Sequence, residues 1–283
     1  MDVITTVKEM KAAVKAVKSR GETICLVPTM GYLHKGHTDL MRMGRNLADH
    51  LFISIFVNPT QFAPNEDLAK YPRDFERDRA LCVEAGVECI FHPSPEEMYP
   101  AGYATYVNVE GITETLCGRS RPTHFRGVTT VVAKLFNICE PDVSVFGEKD
   151  YQQLAVIRRM VRDLDMGVRI VAHPTVREDD GLAMSSRNAY LGADQRTSAL
   201  VLSRALAHAA DLVLKGERDA SKLRKAASEM IASTPGAIID YVEIVHPDTL
   251  QFVDFIDGSA VMALAVKFGT TRLIDNTVLR TIG

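Results

Sequence analysis

The chain has 283 residues, of which 46% are hydrophobic and 24% charged, a balance typical of a globular protein with one large domain or two smaller ones. Its 33 lysines and arginines against 36 aspartates and glutamates give a net charge of −3, which argues against the basic surface that nucleic-acid binding requires. No apolar run reaches the roughly 18 residues of a membrane span, and lysines interrupt the N-terminal stretch where a secretory signal would be continuously apolar.

Five apolar runs bounded by Gly, Pro or polar residues predict buried strands at residues 23–29, 51–59, 89–93, 143–147 and 168–174. The runs are continuous rather than alternating, which is typical of strands covered on both faces. Helical stretches accompany them at residues 5–19, 37–49, 75–84, 130–138 and 151–164. This alternation predicts an α/β fold, a Rossmann-like doubly wound parallel sheet with right-handed crossovers, in which ligands bind beyond the carboxyl ends of the strands.

The pattern changes after residue 188. Two alanine-rich helical stretches, residues 197–214 and 220–232, precede three strand-like runs at residues 239–246, 260–269 and 272–279. Helices followed by strands predict a small α+β unit. We therefore expect two domains, a Rossmann-like domain over residues 1–175 and a smaller C-terminal α+β domain over residues 176–283 that begins with the "MSSR" loop.

The five cysteines are odd in number, and none of them forms a C-x-x-C pair. This usage disfavours a disulfide framework or a cysteine-based zinc site and indicates a reducing cytoplasm. Cys25 and Cys89 fall inside predicted strands, where a buried free thiol is ordinary.

Polar clusters follow the predicted strands, so we expect them to meet at one edge of the sheet. In "PTMGYLHKGH", after the first strand, a helix that begins near Gly36 would direct free N–H groups at an anion, and His34 and His37 could both face that anion. A zinc site would need a third ligand, which this stretch lacks, and two histidines that cap a turn are the plain structural reading. Phosphate binding is favoured over both.

The other clusters leave more than one reading open. Lys149 and Asp150 in "GEKDYQQ" offer a cation and a hydroxyl acceptor, but Asp150 could instead cap a helix. "MSSRN" could clamp a polyphosphate or be a polar linker, "NPTQF" supplies Asn58 and Gln61, and most of "YPRDFERD" suits a charged helix face. The basic stretch at residues 118–128 reads as a mobile loop, either a lid that closes over an anion or a solvated segment.

As an ordered set, these motifs resemble one family. "PTMGYLHKGH" is similar to the HIGH signature of a nucleotidyltransferase superfamily, and "MSSR" to a shortened KMSKS loop. Together with "SIFVNPTQF", "YPRDFERD", "RPTHFRGV", "VFGEKDYQQL" and "REDDGLAMSSRN", they resemble the pantothenate synthetases, the AMP-forming pantoate–β-alanine ligases. The resemblance implies attack of the pantoate carboxylate on the α-phosphorus of ATP, release of pyrophosphate, and attack of the β-alanine amine on pantoyl adenylate with release of AMP. This reaction makes pantothenate for coenzyme A.

The resemblance also implies roles for individual residues. His37, His34, Lys149, Ser185, Ser186 and Arg187 would stabilise charge during catalysis. Asp150 would bond the ribose, and Met184 and Val176 would lie near adenine. The full expected ATP site is Met30, Gly31, Tyr32, Leu33, His34, Lys35, Gly36, His37, Gly147, Glu148, Lys149, Asp150, Val176, Met184, Ser185, Ser186 and Arg187. The expected pantoate and β-alanine site is Gln61, Gln153, Asn58, Tyr71 and Arg121, with His124 a lesser candidate.

By the same resemblance, Mg²⁺ arrives on the ATP phosphates, with Asp78 a weak candidate to assist it, and the protein is a cytoplasmic homodimer. The chief alternative is a nucleotidyltransferase that acts on a phosphate acceptor, but the neutral Gln61 and Gln153 suit a hydroxy acid better. A non-catalytic nucleotide-binding module would not need this set of residues. An RNA-linked synthetase is disfavoured by the negative net charge. No nucleic-acid or membrane partner is expected.

Overall fold

The structure is a computed structural model that describes residues 1–64 and 66–281. The chain divides into two compact units. The first comprises Met1–Glu110, Arg121–Glu148 and Gln153–Pro174, and the second Gly111–Ser120, Lys149–Gln152 and Thr175–Gly283. The division after Pro174 falls beside the boundary expected at residues 175 and 176. Two short segments of the expected first domain, however, belong to the second unit.

The first unit is built on a six-stranded parallel sheet with the order β1-β4-β3-β2-β5-β6. From the central β2 the chain adds β3 and β4 on one side and β5 and β6 on the other, so the direction of strand addition reverses between β2 and β5. At such a switch point neighbouring loops diverge and leave room for a ligand. The strands are β1 (Asp2–Ile4), β2 (Ile24–Thr29), β3 (His50–Ile55), β4 (Cys89–Phe91), β5 (Val143–Gly147) and β6 (Arg169–His173).

Helices cover both faces of this sheet, which confirms the predicted α/β fold. On one face Met10 and Phe136 belong to a buried cluster that includes Leu26 of β2. On the other face Met41 and Cys82 pack with the remaining side chains of the same strands. The helices of this unit are α1 (Val7–Lys18), α2 (Lys35–Arg45), α3 (Phe75–Glu84), α4 (Pro95–Met98), α6 (His124–Cys139) and most of α7 (Tyr151–Asp163).

The expectation of a mobile loop over residues 118–128 is wrong. Residues Leu116–Ser120 form helix α5, and α6 begins already at His124. One of the glycines that suggested a loop, Gly127, has another role, because it lies in α6 where the backbone of Gln61 leaves no space for a side chain. A glycine in a helix interior costs about 0.5–1 kcal/mol relative to alanine, and here the close approach requires it.

The second unit contains an antiparallel sheet of β7 (Ala237–Val245), β8 (Ser259–Phe268) and β9 (Thr271–Arg280), with β8 in the centre. It confirms the predicted small α+β unit. Its helices are α5, α8 (Ala193–Ala199), α9 (Val201–Leu214) and α10 (Ala220–Ala232). The stretch Ala193–Leu214 is apolar and long enough to cross a membrane by length and composition alone, but several of its apolar residues, Leu202 and Leu206 among them, pack in the core of this unit.

All five cysteines are buried and free, as the sequence indicates. Burial raises the pKa of the Cys25, Cys82 and Cys89 thiols to about 12. These thiols are therefore inert packing groups rather than nucleophiles.

Candidate active site

The histidine motif is a strained turn that leads from β2 into α2. Gly31 has φ +80° and Tyr32 φ +50°, so two successive residues adopt the left-handed conformation. A Cβ atom on Gly31 would lie 2.9 Å from Oδ2 of Asp78, which explains the glycine. The chain then enters α2 with His34 at the N-cap and His37 in the first turn.

Asp78 of α3 holds this turn from beneath. Its two carboxylate oxygens accept hydrogen bonds from the backbone N–H groups of Tyr32 and Leu33, each at 2.7 Å. Burial raises the pKa of Asp78, although these two hydrogen bonds oppose that shift. The side chain is only 1% exposed and both oxygens are engaged, so we do not retain Asp78 as a candidate to assist magnesium.

His34 and His37 stand together at the N-terminus of α2, with ring centroids 4.1 Å apart. The backbone N–H of His34 donates to Nδ1 of His37 at 3.3 Å. A backbone N–H can only donate, so Nδ1 of His37 carries no proton, and the neutral imidazole has its N–H at Nε2. The first N–H groups of a helix lack acceptors within the helix and attract anions. The turn therefore combines an imidazole donor with an anion-binding helix end.

Gln61 follows β3 and approaches the same turn. It lies in a 3₁₀ turn, Pro59–Gln61, that Asn58 caps, and its Nε2 contacts Sδ of Met30 at 3.0 Å. Asn58 is 1% exposed and its Nδ2 donates to Oε1 of Gln61 and to the carbonyl oxygen of Gly127. The buried Asn58 amide is thus engaged within the protein, and it supports Gln61 rather than presenting its own donor to a ligand.

Arg121, expected at the substrate site, forms a bidentate ion pair with Glu66 at 2.5 Å. Burial alone would raise the pKa of Glu66, but the Arg121 guanidinium lowers it overall. Arg121 and His124 also contact the carbonyl oxygen of Gln61, at 3.2 and 3.0 Å. Both side chains therefore brace the backbone of the 3₁₀ turn. Tyr71 is buried and packs edge-on against Phe62.

Other expected residues follow β5. Gly147 ends the strand, and Glu148 closes this segment of the first unit. In the second unit Lys149 lies 3.7 Å from the carboxylate of Asp150, and its carbonyl oxygen accepts a hydrogen bond from Asn276 of β9. On the first turn of α7, Gln153 is partly exposed.

Gln152 has a structural role. Its buried amide accepts from the N–H of Cys117 and donates to the carbonyl oxygens of Ile112 and Thr115. It thereby holds residues 112–117, which lead into α5.

The "MSSR" loop of the second unit is an ordered 3₁₀ turn, Ser186–Tyr190, that Ser185 caps through a bond from the N–H of Arg187. The preceding strand-like pairing of residues 176–184 places Met184 against Val176, with its N–H bonded to the Val176 carbonyl oxygen at 2.9 Å. Asn188 donates to Glu178, which also accepts from Arg196. The loop is therefore anchored at both ends.

The residues of the expected ATP set are divided between the two units, whereas those of the expected pantoate and β-alanine set all belong to the first. The first unit brings together the histidine turn, Gln61 and its supports, and the second contains Lys149, Asp150 and the "MSSR" loop. Sequence reasoning missed Gly127 as a packing residue, and it missed Tyr99, which hydrogen-bonds Asn58. The signal for Tyr99 was its place in "MYP", shortly after the predicted strand at residues 89–93.

Comparison with known proteins points to one family. The family model for pantoate-beta-alanine ligase matches residues 2–278. Proteins named pantothenate synthetase from Acetivibrio thermocellus and Moorella thermoacetica are each 58% identical over 279 residues, which is 99% of this chain and of each relative.

Among solved structures, pantothenate synthetase from Thermus thermophilus is 48% identical, with a TM-score of 0.93 over 98% of this chain and 99% of that one. Pantoate-beta-alanine ligase from Francisella tularensis, complexed with beta-gamma ATP and beta-alanine, is 31% identical, with a TM-score of 0.80 over 98% and 97% of the two chains. The match spans both units and every motif of the candidate site. This chain therefore belongs to the pantoate–β-alanine ligase family.

Proposed function

We propose that this protein condenses pantoate with β-alanine to form pantothenate, at the expense of ATP, through a pantoyl adenylate. The family match supports the overall reaction. The observation that carries the site assignment is the meeting of the His34–His37 turn with the Gln61 amide, whose Nε2 contacts Met30 of that turn. An anion-binding helix end beside a fixed amide donor suits a triphosphate next to a hydroxy acid.

In the first step the pantoate carboxylate attacks the α-phosphorus, and pyrophosphate leaves. No protein nucleophile is needed, so catalysis consists of alignment and charge stabilisation. The Nε2–H of His37 is the donor that we assign to the charge that develops on the α-phosphate. His34 and the N-terminal N–H groups of α2 meet the remaining phosphates.

Gln61 and Gln153 hold pantoate by its hydroxyls and carboxylate, and Asn58, Arg121 and Tyr71 support this site. In the second step the β-alanine amine attacks the acyl carbon of pantoyl adenylate, and AMP leaves with the electrons of the broken C–O bond. A neutral amide such as Gln61 binds a hydroxy acid without the full positive charge that a phosphate acceptor would require.

We also assign nucleotide-binding roles to residues of the second unit. Lys149 neutralises phosphate charge and Asp150 accepts a hydrogen bond from the ribose. Ser185, Ser186 and Arg187 bind the phosphates, and Val176 with Met184 lies near adenine. The backbone at Met30, Gly31, Gly36 and Gly147 allows close approach of the nucleotide.

Mg²⁺ enters with the ATP. In the described part of the chain, no group of three His, Cys, Asp or Glu side chains could hold a metal ion. We propose that this magnesium ion is bound chiefly by phosphate oxygens and water, as is usual for nucleotide-bound magnesium. Bound in this way, Mg²⁺ neutralises phosphate charge. We further propose that the enzyme works as a cytoplasmic homodimer.

A two-stage assay tests the reaction. The protein is incubated with ATP, Mg²⁺ and pantoate, and pyrophosphate and pantoyl adenylate are measured before β-alanine is added. We expect pyrophosphate and adenylate in the first stage, and pantothenate with AMP in the second. Absence of both first-stage products would refute the ligase reaction, and transfer of AMP to a phosphate ester would instead support a nucleotidyltransferase.

A further inference from the structure

Tyr99 is not among the residues expected at the ATP or substrate site, yet its hydroxyl contacts Asn58, which supports Gln61. It is the C-cap residue of α4, in the segment that follows β4, and β4 is the neighbour of β3 in the sheet. Its hydroxyl donates to Oδ1 of Asn58 at 2.8 Å, across 41 residues of sequence. We propose that Tyr99 is a positioning residue for pantoate, which acts through Asn58 to fix the direction of the Gln61 amide. This inference rests on the proposed role of Gln61 in pantoate binding.

Two backbone groups identify which atom of the Asn58 amide is the oxygen and which is the nitrogen. The N–H of Thr60 can only donate, and it lies 3.3 Å from Oδ1 of Asn58. The carbonyl oxygen of Gly127 can only accept, and it lies 3.1 Å from Nδ2. The oxygen and the nitrogen of Asn58 are therefore distinguished by their surroundings rather than by assignment.

The same logic passes to Gln61. Because Nδ2 of Asn58 can only donate, the Gln61 atom at 3.2 Å from it must be the acceptor, Oε1. The Nε2 donors of Gln61 then face away from Asn58, towards Met30. Gln61 consequently presents N–H groups, which select ligand atoms with lone pairs, such as carboxylate or hydroxyl oxygens.

Tyr99 makes the reverse orientation unfavourable. Oδ1 of Asn58 accepts from the Tyr99 hydroxyl at 2.8 Å and from the Thr60 hydroxyl at 2.9 Å, besides the Thr60 N–H. An NH₂ group in that place would oppose the Thr60 N–H, which can only donate, and both hydroxyls would have to turn round and accept instead. Burial raises the pKa of Tyr99 to about 12, so its hydroxyl remains a protonated donor at neutral pH.

Packing holds the Tyr99 ring in place. The ring lies 6.2 Å from that of Phe56 and edge-on to that of Tyr103 at 5.0 Å, and the Lys134 ammonium lies 5.7 Å from its centroid. These contacts do not involve the hydroxyl. Tyr99→Phe therefore removes the bond to Asn58 and the longer contact with the Thr60 hydroxyl at 3.4 Å, and it leaves the ring contacts intact.

The test is Tyr99→Phe against Tyr103→Phe in steady-state assays with saturating ATP and β-alanine. Tyr103 is the matched control, since it belongs to the same aromatic cluster but does not donate to Asn58. We expect Y99F to raise KM for pantoate about 3- to 10-fold, with KM for ATP and Tm little changed, and Y103F to leave all three unchanged. An unchanged pantoate KM in Y99F, or an equal rise in Y103F, would overturn the inference.

A double-mutant cycle separates positioning from a general loss of structure. In a Gln61→Ala background the Tyr99 hydroxyl has no amide to orient, so adding Y99F should change the pantoate KM by less than about twofold. A further rise equal to that in the wild-type background would show that Tyr99 does not act through Gln61, and it would refute the proposal.

Asn58→Asp provides a second test of the contacts through Asn58 if Y99F does not fold. It preserves the oxygen that Tyr99 and Thr60 contact but removes the donor to Gln61, so we expect a rise in the pantoate KM at least as large as that of Y99F. A wild-type KM in N58D would overturn the proposal. Failure of the proposed function is distinct, because the wild-type protein would then form no pantoyl adenylate, and the inference would fall with it.

Discussion

Gly127 of helix α6 lies directly against the backbone of Gln61: a Cβ atom on Gly127 would stand 2.6 Å from both Cα and N of Gln61. The same atom would be 2.5 Å from the carbonyl oxygen of Thr60. Real Cβ atoms do not approach backbone so closely, and neither partner is a flexible side chain that could move aside. Helix α6 thus determines where the Gln61 turn can lie.

Gly127→Ala should therefore displace the 3₁₀ turn. We expect a loss of stability of about 1–3 kcal/mol from overpacking and a large rise in the KM for pantoate, because Gln61 and the Gly127 carbonyl that bonds Asn58 both shift. Denaturant unfolding and steady-state kinetics measure the two effects. Gly167→Ala is the control, since a Cβ atom there meets nothing within 4 Å. Equal behaviour of the two variants would contradict the prediction.

Asp78→Asn should disturb the histidine turn. The new amide NH₂ group would then face the backbone N–H of either Tyr32 or Leu33. Two buried donors would point at each other, which costs about 1–3 kcal/mol. We expect slower adenylate formation as His34 and His37 lose their fixed position. Asp74→Asn on the same helix is the control, because Asp74 is an N-cap and asparagine caps equally well. Wild-type kinetics in D78N would be inconsistent with a role for Asp78 in holding the turn.

The rate of pantoyl adenylate formation in His37 variants should depend on where the new side chain places an N–H donor. His37→Ala removes the Nε2–H donor, and we expect the rate of pantoyl adenylate formation to fall about 10²–10³-fold, as for removal of one donor to developing charge. His37→Gln can place an N–H near the position of Nε2, whereas His37→Asn reaches only that of Nδ1. Single-turnover adenylate formation should therefore be faster in H37Q than in H37N. The reverse order would disprove the assigned tautomer.

Asp275→Ala should destabilise the second unit. Asp275 has a side chain that is 1% exposed and forms two bonds with the Arg177 guanidinium, at 2.7 and 3.0 Å. Removal of one partner of a fully buried pair typically costs about 3–5 kcal/mol, and we expect less here because the Arg177 side chain is 31% exposed. Asp211→Ala, in the exposed pair with Lys215 on α9, should cost no more than about 1 kcal/mol. Urea unfolding compares the stability of the two variants. Similar unfolding midpoints would contradict the prediction that the Asp275 pair stabilises the protein more.

His50, at the start of β3, should make stability depend on pH. Its Nε2 lies 2.7 Å from a Glu22 oxygen and its Nδ1 lies 2.6 Å from a Glu88 oxygen, so both ring nitrogens face acceptors. The Glu22 hydrogen bond, aided by Glu88 and opposed by burial, raises the pKa of His50. Arg20 also approaches Nε2, at 3.5 Å, but its guanidinium is bound to Glu22.

A raised folded pKa gives stabilisation that is fully present below the unfolded value of about 6.5 and is lost as pH rises through the folded value. The Tm of the wild-type protein minus that of His50→Gln should be largest near about pH 6 and shrink towards about pH 9. Because the groups are near the surface, added salt should reduce the difference. A Tm difference that is constant with pH would show that folding does not shift the pKa of His50.

Much of the sheet could be predicted because strands that are buried on both faces carry their signal locally. Residues 143–147 and 75–84 were predicted with the bounds that β5 and α3 have in the structure. The short edge strand β1 was missed, since three residues give no pattern. Helix α6 was predicted only from residue 130, because Gly127 reads locally as a breaker while its actual role depends on a backbone far away in sequence.

The sequence by itself determined the fold class, the histidine turn and the identity of the polar residues at the ends of the strands. Spacing of apolar residues and glycines within a short stretch is enough for these features. Only the tertiary structure decided what those polar residues do: Asn58 orients Gln61, Arg121 pairs with Glu66, and Tyr99 contacts Asn58. The order of strands sets these contacts, because it brings together β3, β4 and α6, whose contacting residues are 41 to 69 positions apart in the chain. A local sequence pattern cannot predict contacts between residues so far apart.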